Sequence, residues 1–529
     1  MLKMLSAAAL AFTAAGPWCV QPAAAQDDAD QRFGTVHFAT SCNEVAQRRF
    51  DRAMRYQHSF WYRQSKEIFE TALHADPQCA IAYWGIALSL LNNPHSAPPA
   101  ENLPLGLAAL QSGKALGAKT QRERDYIESL LVLYTDYDKV DRAARIKAYL
   151  TAAQALAQRY PDDDEAQINY AITLNVAAPP SDKTYAYQLE GAAILEAIAK
   201  RQPQHPGVAH YLIHLYDYPP IAAKGLEAAT RYSKIAPAAP HAQHMPSHIF
   251  TRVGYWKESI AANIASVRAA KADRETGDQL HGEDYMVYAY LQLAQDKHAR
   301  AVIDEMEGAS RSTADTFGAS FALAASPARY LVERGDWSGA AGLEVRPSKF
   351  PQAMAITHFA RALGAARSGR PEAAAVDIAM LADLRDKLRA AKDAYWAEQV
   401  DIERQVANAW LIEAQGRHGD ALAAMSAAAD AEDRTEKAPV TPGPLAPARE
   451  LYGAMLLERG NGEEALAQFE ATMAKEPNRF NGFAGGATAA QALGDNANAK
   501  AYYEKLIALA SAEADRPALW AGKAFLAKN

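Results

Sequence analysis

Cysteine is nearly missing from this chain, with three residues in 529. That excludes a disulfide-dense scaffold and any metal site built on four thiolates. The excess of basic residues that a nucleic-acid face needs is missing too. Lys and Arg total 55 against 62 Asp and Glu, for a net charge of −7, so no nucleic-acid partner is expected. Beyond the N-terminus no run of eighteen apolar residues occurs, so no membrane span is expected. Several catalytic signatures are absent. There is no HExxH of the zincin type, no GxSxG elbow and no GxGxxG. GLAALQSGK (106–114) approaches a phosphate loop, but Ala108 stands where the first glycine belongs and no strand precedes it.

What is present begins with MLKMLSAAALAFTAAG, one lysine followed by an apolar stretch. PAAAQ then offers a small-x-small cleavage site after Ala25. This is the layout of a secretory signal peptide over residues 1–25, so a periplasmic or secreted protein is expected. Cys19 follows Trp18 without the small residues of a lipid-acceptor site, which leaves Cys42 and Cys79 in the mature chain. In an oxidising compartment the pair reads as a disulfide. Its closed loop of 37 residues is worth about 4 kcal/mol in the chain-entropy model. Two buried thiols, or two metal ligands, are the alternatives.

The chain repeats itself. APARELYGAMLLERGNGEEALAQFEATMAKEP begins at Ala446 and FNGFAGGATAAQALGDNANAKAYYEKLIALA begins at Phe480, 34 residues later. In that frame Gly460 matches Gly494, Ala465 matches Ala499, Phe469 matches Tyr503 and Gly453 matches Ala487, with Pro477 closing the first unit. The frame also fits from Ala46, from Ala80, and from Pro206 and Pro240, then less strictly from Gly282, Phe321, Ala355 and Ile402. GYW (254–256), GDW (335–337), GRP (369–371) and GRHG (416–419) mark turns between paired helices. Two stretches break the pattern. EDRTEKAPVTPGPLAP (432–447) reads as a loop or linker, and EGASRSTADTFGAS (307–320) as a second break. Over 100–200 the frame fades, yet RERDYIESLLVLYTDY and RIKAYLTAAQALAQRYP keep a helical apolar period.

This pattern resembles the tetratricopeptide repeat (TPR), two antiparallel helices per unit of about 34 residues. Small residues sit where the two helices cross, a glycine lets the first helix end at positive φ, and a proline stops the second. The resemblance implies an all-α, right-handed superhelical solenoid with the first helix of each pair, helix A, lining a concave surface. The organisation expected is a signal peptide over 1–25, an N-terminal solenoid over 26–306, middle repeats over 321–431 and a C-terminal pair over 446–529. The string SC…HSFWY…DPQCAIAYWG…HYLIH…HMPSHIFTRVGYW further resembles a group of exported bacterial TPR proteins and, more distantly, the animal tetratricopeptide repeat protein 38.

Within that frame the histidines fall into register. His210 and His244 share position 5, and His214 and His248 share position 9 of successive units; His241 holds position 2. Each HxxxH pair lies on one helix face. In the family that the stretch resembles, these positions face the concave groove. Imidazoles converging from neighbouring helices are ligands for zinc or copper, and the Met245 sulfur would favour copper. Asp217, Arg252, Glu283 and Asp284 are nearby candidates for groups that support the ligands or touch a substrate. A polar groove for a peptide or a structural role are the alternatives. Pro246 either kinks the helix or starts a new one, leaving His241 and His244 on the entering loop. HSFWY (58–62) and Trp84 read as a packed cap or as an aromatic wall, with Phe60 in place of a turn glycine. The function expected is a periplasmic binding or scaffold protein with a histidine-rich metal site. A metal-dependent enzyme, or a metal-free adaptor taking a protein, peptide or small ligand in its groove, is the alternative.

Overall fold

The structure, a computed structural model, describes residues 32–311 and 313–528; the signal-peptide expectation over 1–25, with Cys19, lies outside them. The described residues are helical and contain no strand. Successive helices pack as antiparallel neighbours, in a TPR-like solenoid. The turn glycines do what the pattern requires. Gly254, Gly335, Gly369, Gly416, Gly460 and Gly494 all adopt φ between +67° and +80°, where a side chain would be strained. Close helix crossing accounts for another position: a Cβ on Gly85 would sit 2.4 Å from the Phe69 ring. The weakly patterned stretch is helical as well, through Asn102–Leu116, Gln121–Tyr134, Arg142–Arg159, Asp164–Ala177 and Ala186–Arg201. A capping box joining Thr120 and Glu123 starts one of these, and the Asp141 side chain caps the next.

The apolar core passes from hairpin to hairpin in neighbouring clusters, as a stack of repeats requires. Near its start Cys42 and Cys79 form a disulfide. No described helix is long and apolar enough to cross a membrane.

The superhelix curls far enough for its C-terminal pair to dock on its middle. Trp256 Nε1 donates to the Asn478 carbonyl at 2.7 Å, and the Ser511 amide donates to the Leu293 carbonyl at 2.9 Å. Arg479, fully buried, donates to both Glu450 oxygens (2.8 and 2.9 Å), to Tyr288 Oη (2.9 Å) and to Glu333.

Residues 434–447, expected as a loop or linker, connect the His418–Asp433 and Ala448–Glu458 helices, but they run along the inner surface rather than through solvent. Thr435, Glu436, Thr441 and Leu445 are buried. The partners of this strap lie on helix A of four different hairpins. Tyr285 Oη donates to the Pro439 carbonyl (3.0 Å), Arg329 to the Pro444 carbonyl (2.9 Å), and Tyr395 Oη to the Glu436 carbonyl (2.8 Å). Lys437 reaches Asp217, at the end of the Pro206–Tyr216 helix, at 3.2 Å.

Candidate metal centre

The Pro206–Tyr216 helix starts on a proline whose missing N–H costs nothing there, and it carries His210 and His214 one turn apart. The next helix A is broken at Pro246 into Pro240–His244 and Pro246–Arg252. Met245 stays helical between them (φ −54°, ψ −35°), so the chain kinks without unwinding and His244 still faces His248. The Thr276–Gln292 helix then contributes His281 and, one turn on, Tyr285.

Six imidazoles meet as two sets of three. In the set of His210, His214 and His241, and again in that of His244, His248 and His281, one nitrogen from each ring lies within 4.8 Å of the others. His210 Nε2 stands 3.1 Å from both His214 Nε2 and His241 Nε2. His244 Nε2 stands 3.0 Å from His248 Nε2. His210, His214, His244 and His248 are buried; His241 and His281 are partly exposed.

Hydrogen bonding fixes the tautomers that matter. His244 Nδ1–H donates to Asn263 Oδ1 at 2.7 Å, and the Asn263 amide is oriented by its own donation to the Ser259 carbonyl at 2.8 Å. His248 Nδ1–H donates to Asp217 Oδ2 at 2.9 Å, and His210 Nδ1–H to the His58 carbonyl at 2.7 Å. With Nδ1 protonated, neutral imidazole presents a bare lone pair at Nε2. The His244–His248 contact therefore sets two lone pairs against each other, with no proton to share. Protonation is opposed: burial, then the neighbouring imidazoles, holds His244 and His214 well below the ordinary histidine range, and His210 near 3. A cation relieves such a contact. Two nitrogens about 2.0–2.1 Å from one ion stand about 2.9 Å apart at a right angle and about 3.3 Å apart at the tetrahedral angle, a range that brackets the observed separations.

The surroundings are charged and aromatic. Asp217 also accepts from Arg252 Nε at 2.8 Å and from Lys437 at 3.2 Å. Burial alone would raise its carboxyl, but Lys437 and Arg252 hold it well below the usual range. Phe60 packs on the first set, its ring edge-on to His210 at 4.3 Å and stacked on His241 at 5.1 Å. It does so at φ +59°, in the glycine-like turn position, so the aromatic is kept there against backbone strain. Tyr285 lies against the second set, its ring 4.7 Å from that of His244.

Of the residues singled out in the sequence, the structure gathers the five histidines, Asp217 and Arg252. Met245 instead packs in the apolar cluster with Tyr232 and Ile249. Glu283 pairs with Gln279, and Asp284 with Ser326 and, at 3.9 Å, Arg329. His58 pairs with Glu165 at 3.1 Å, which His205 also contacts at 2.9 Å; it meets the first set through its carbonyl. Trp84 packs with Phe38 and Tyr126, and of the aromatic stretch it is Phe60 that lies against the histidines.

Two histidines escaped the sequence reading. His281 follows His248 by 33 residues, one short of the frame, and has no second histidine a turn away. His95 sits in the NNPHSAPPAENLP break, yet its ring lies 4.5 Å from that of His214 and its Nε2 is buried without a hydrogen-bond partner.

No family model and no curated protein matches the chain. Among solved structures it is similar to human IFIT1 with m7Gppp-AAAA (10% identity, 81% of this chain and 90% of that one, TM-score 0.37). A monomeric mutant of IFIT1, also with m7Gppp-AAAA, gives 11% identity over 92% and 99% of the chains and a TM-score of 0.37. Yeast Tom70 gives 10% identity over 92% and 96% and a TM-score of 0.30. These likenesses do not bear on the histidines.

Proposed function

We propose that this chain is an exported TPR-like protein whose inner surface binds a transition metal through its histidines. The observation that carries this reading is the His244–His248 contact, where both Nδ1 protons are committed elsewhere and two bare nitrogens face each other at 3.0 Å. Asp217 and Asn263 have the part that carboxylates and carbonyls take behind metal-bound histidines, orienting the ring and raising its basicity. Export rests on the expected signal peptide and agrees with the Cys42–Cys79 disulfide. The resemblance to exported bacterial TPR proteins points the same way.

Metal analysis of protein exported to the periplasm and purified without chelator tests the reading. Stoichiometric zinc or copper is expected in the wild type and its loss in a folded His210→Ala/His248→Ala variant. Wild-type protein free of metal after incubation with either ion would overturn it.

A metal-dependent enzyme is the second reading, and one feature favours it. Three ligands per set leave a coordination position open for water or substrate. Beside Phe60 lies a cavity of about 110 Å³, lined in part by Tyr62, Trp84, Leu88 and Tyr211. Its walls suit a small, largely apolar ligand.

A further inference from the structure

We infer that the six imidazoles form one two-ion centre of the copper class, each set of three holding its own ion. The inference rests on the metal-binding reading and adds to it nuclearity and metal identity.

The separations support a single cage. Between sets, the His214 and His248 ring centroids are 6.0 Å apart and those of His241 and His244 are 6.1 Å apart. Within the first set the His214–His241 separation is longer, 6.5 Å. The approaches between sets thus fall inside the 4.4–6.5 Å range of separations within them, although most pairs within a set are closer. One ion cannot use them all: a tetrahedral ion takes four nitrogens and would leave two of the six imidazoles without a metal. Two ions with three nitrogens each leave none.

Charge selects the ion. Every first-set and second-set ligand is a neutral imidazole. The nearest carboxylate, Asp217, is already shared by Arg252 and Lys437. Two divalent ions would bring four positive charges into this buried cage without an anionic ligand, and burying uncompensated charge is expensive. Two copper(I) ions bring half as much. Three neutral nitrogens also complete a trigonal copper(I) site, whereas zinc with three histidines needs a fourth ligand. If divalent ions compete, copper outranks zinc at nitrogen sites.

The test is copper(I) titration of the metal-free full chain against a chromophoric copper(I) chelator, under reducing conditions. The wild type is compared with His241→Ala and His281→Ala, which alter the two partly exposed members and leave the oriented, buried histidines in place. Two equivalents are expected for the wild type and one tight equivalent for each variant, with circular dichroism reporting that the helices persist. A parallel zinc titration is expected to give weaker or fewer sites. One equivalent in the wild type, or both variants keeping two, would overturn the pairing and leave the metal-binding reading intact. Two zinc equivalents in preference to copper would overturn the metal assignment alone. No binding of either ion would remove both this inference and the reading beneath it.

Discussion

Replacing Asp217 by asparagine keeps the side chain's shape and removes its charge. The wild-type carboxylate accepts from His248 Nδ1 and Lys437 Nζ on one oxygen and from Arg252 Nε on the other. Asparagine has one acceptor oxygen. If that oxygen stays on Arg252, the amide N–H₂ faces His248 and can only donate. His248 must then accept at Nδ1 and carry its proton on Nε2, the nitrogen that would bind metal. If the amide turns round, N–H₂ meets the Arg252 guanidinium instead. In both cases Arg252 and Lys437, with side chains 2% and 6% exposed, lose their counter-charge. Breaking a buried pair of this kind costs about 3–5 kcal/mol. Losing a group that orients a metal-bound histidine costs about 10–100-fold in affinity. The two effects are separable. Denaturant unfolding of metal-free protein reads the first, and chelator competition on folded protein reads the second. A double variant, Asp217→Asn/Lys437→Met, is expected to recover part of the stability, because one orphaned cation is gone, and none of the affinity. Asp217→Asn that binds metal with wild-type affinity while nitrogen NMR of the metal-free protein places the His248 proton on Nε2 would refute the tautomer argument.

Substitutions at three other sites test the packing and electrostatics of the fold. Arg479→Met leaves Glu333 and Glu450 buried without their cation; about 3–5 kcal/mol should be lost, with hydrogen exchange over 480–526 accelerating more than over 206–292. Phe60→Gly should be about 1 kcal/mol more stable than Phe60→Ala in thermal or denaturant unfolding, because φ +59° costs glycine nothing; equal stability would mean that the turn relaxes. Glu403, beside Glu432, has its carboxyl pushed up to about 8 by burial and then by that neighbour. Its folded form therefore holds a proton that the unfolded chain releases above about 4.5, so its contribution is fully present at low pH and is lost as pH rises toward 8. Discounted for partial exposure, Glu403→Gln should gain about 1–2 kcal/mol over wild type at pH 8 and nothing at pH 4.

The sequence carried the parts of this molecule that are periodic. A 34-residue frame favours a glycine at the turn between paired helices and small residues at each crossing, and Gly254, Gly335, Gly369, Gly416, Gly460 and Gly494 answer to it with positive φ. His210, His214, His244 and His248 were legible for the same reason, since register in the repeat becomes alignment in space. His281 was not, because the long Trp256–Asp273 helix moves the next unit out of phase. His95 was hidden for a different reason: a Pro-rich loop has no period, and what places it against His214 is the packing of the loop itself. Glu283 and Asp284 were drawn toward the site by proximity along the helix, but their partners are Gln279 and Ser326.

The strap weighs most on how the inner surface can be used. In a solenoid of helix pairs the concave face is open to an extended partner. Here the chain's own residues 434–447 already lie on it, with carbonyls bonded to Tyr285, Arg329 and Tyr395 and an ammonium on Asp217. A protein or peptide entering the groove at that level would have to break all four contacts and expose the buried Thr435, Glu436 and Thr441. The Lys437–Asp217 pair alone, at 6% exposure on each side, opposes that, because the buried Asp217 would lose one of its two cations and keep only Arg252. An adaptor that binds through this face gains nothing from six imidazoles gathered on it, four of them buried. A metal centre gains fixed ring orientation, and the strap adds to it: Lys437 bonds Asp217, the carboxylate that accepts from His248.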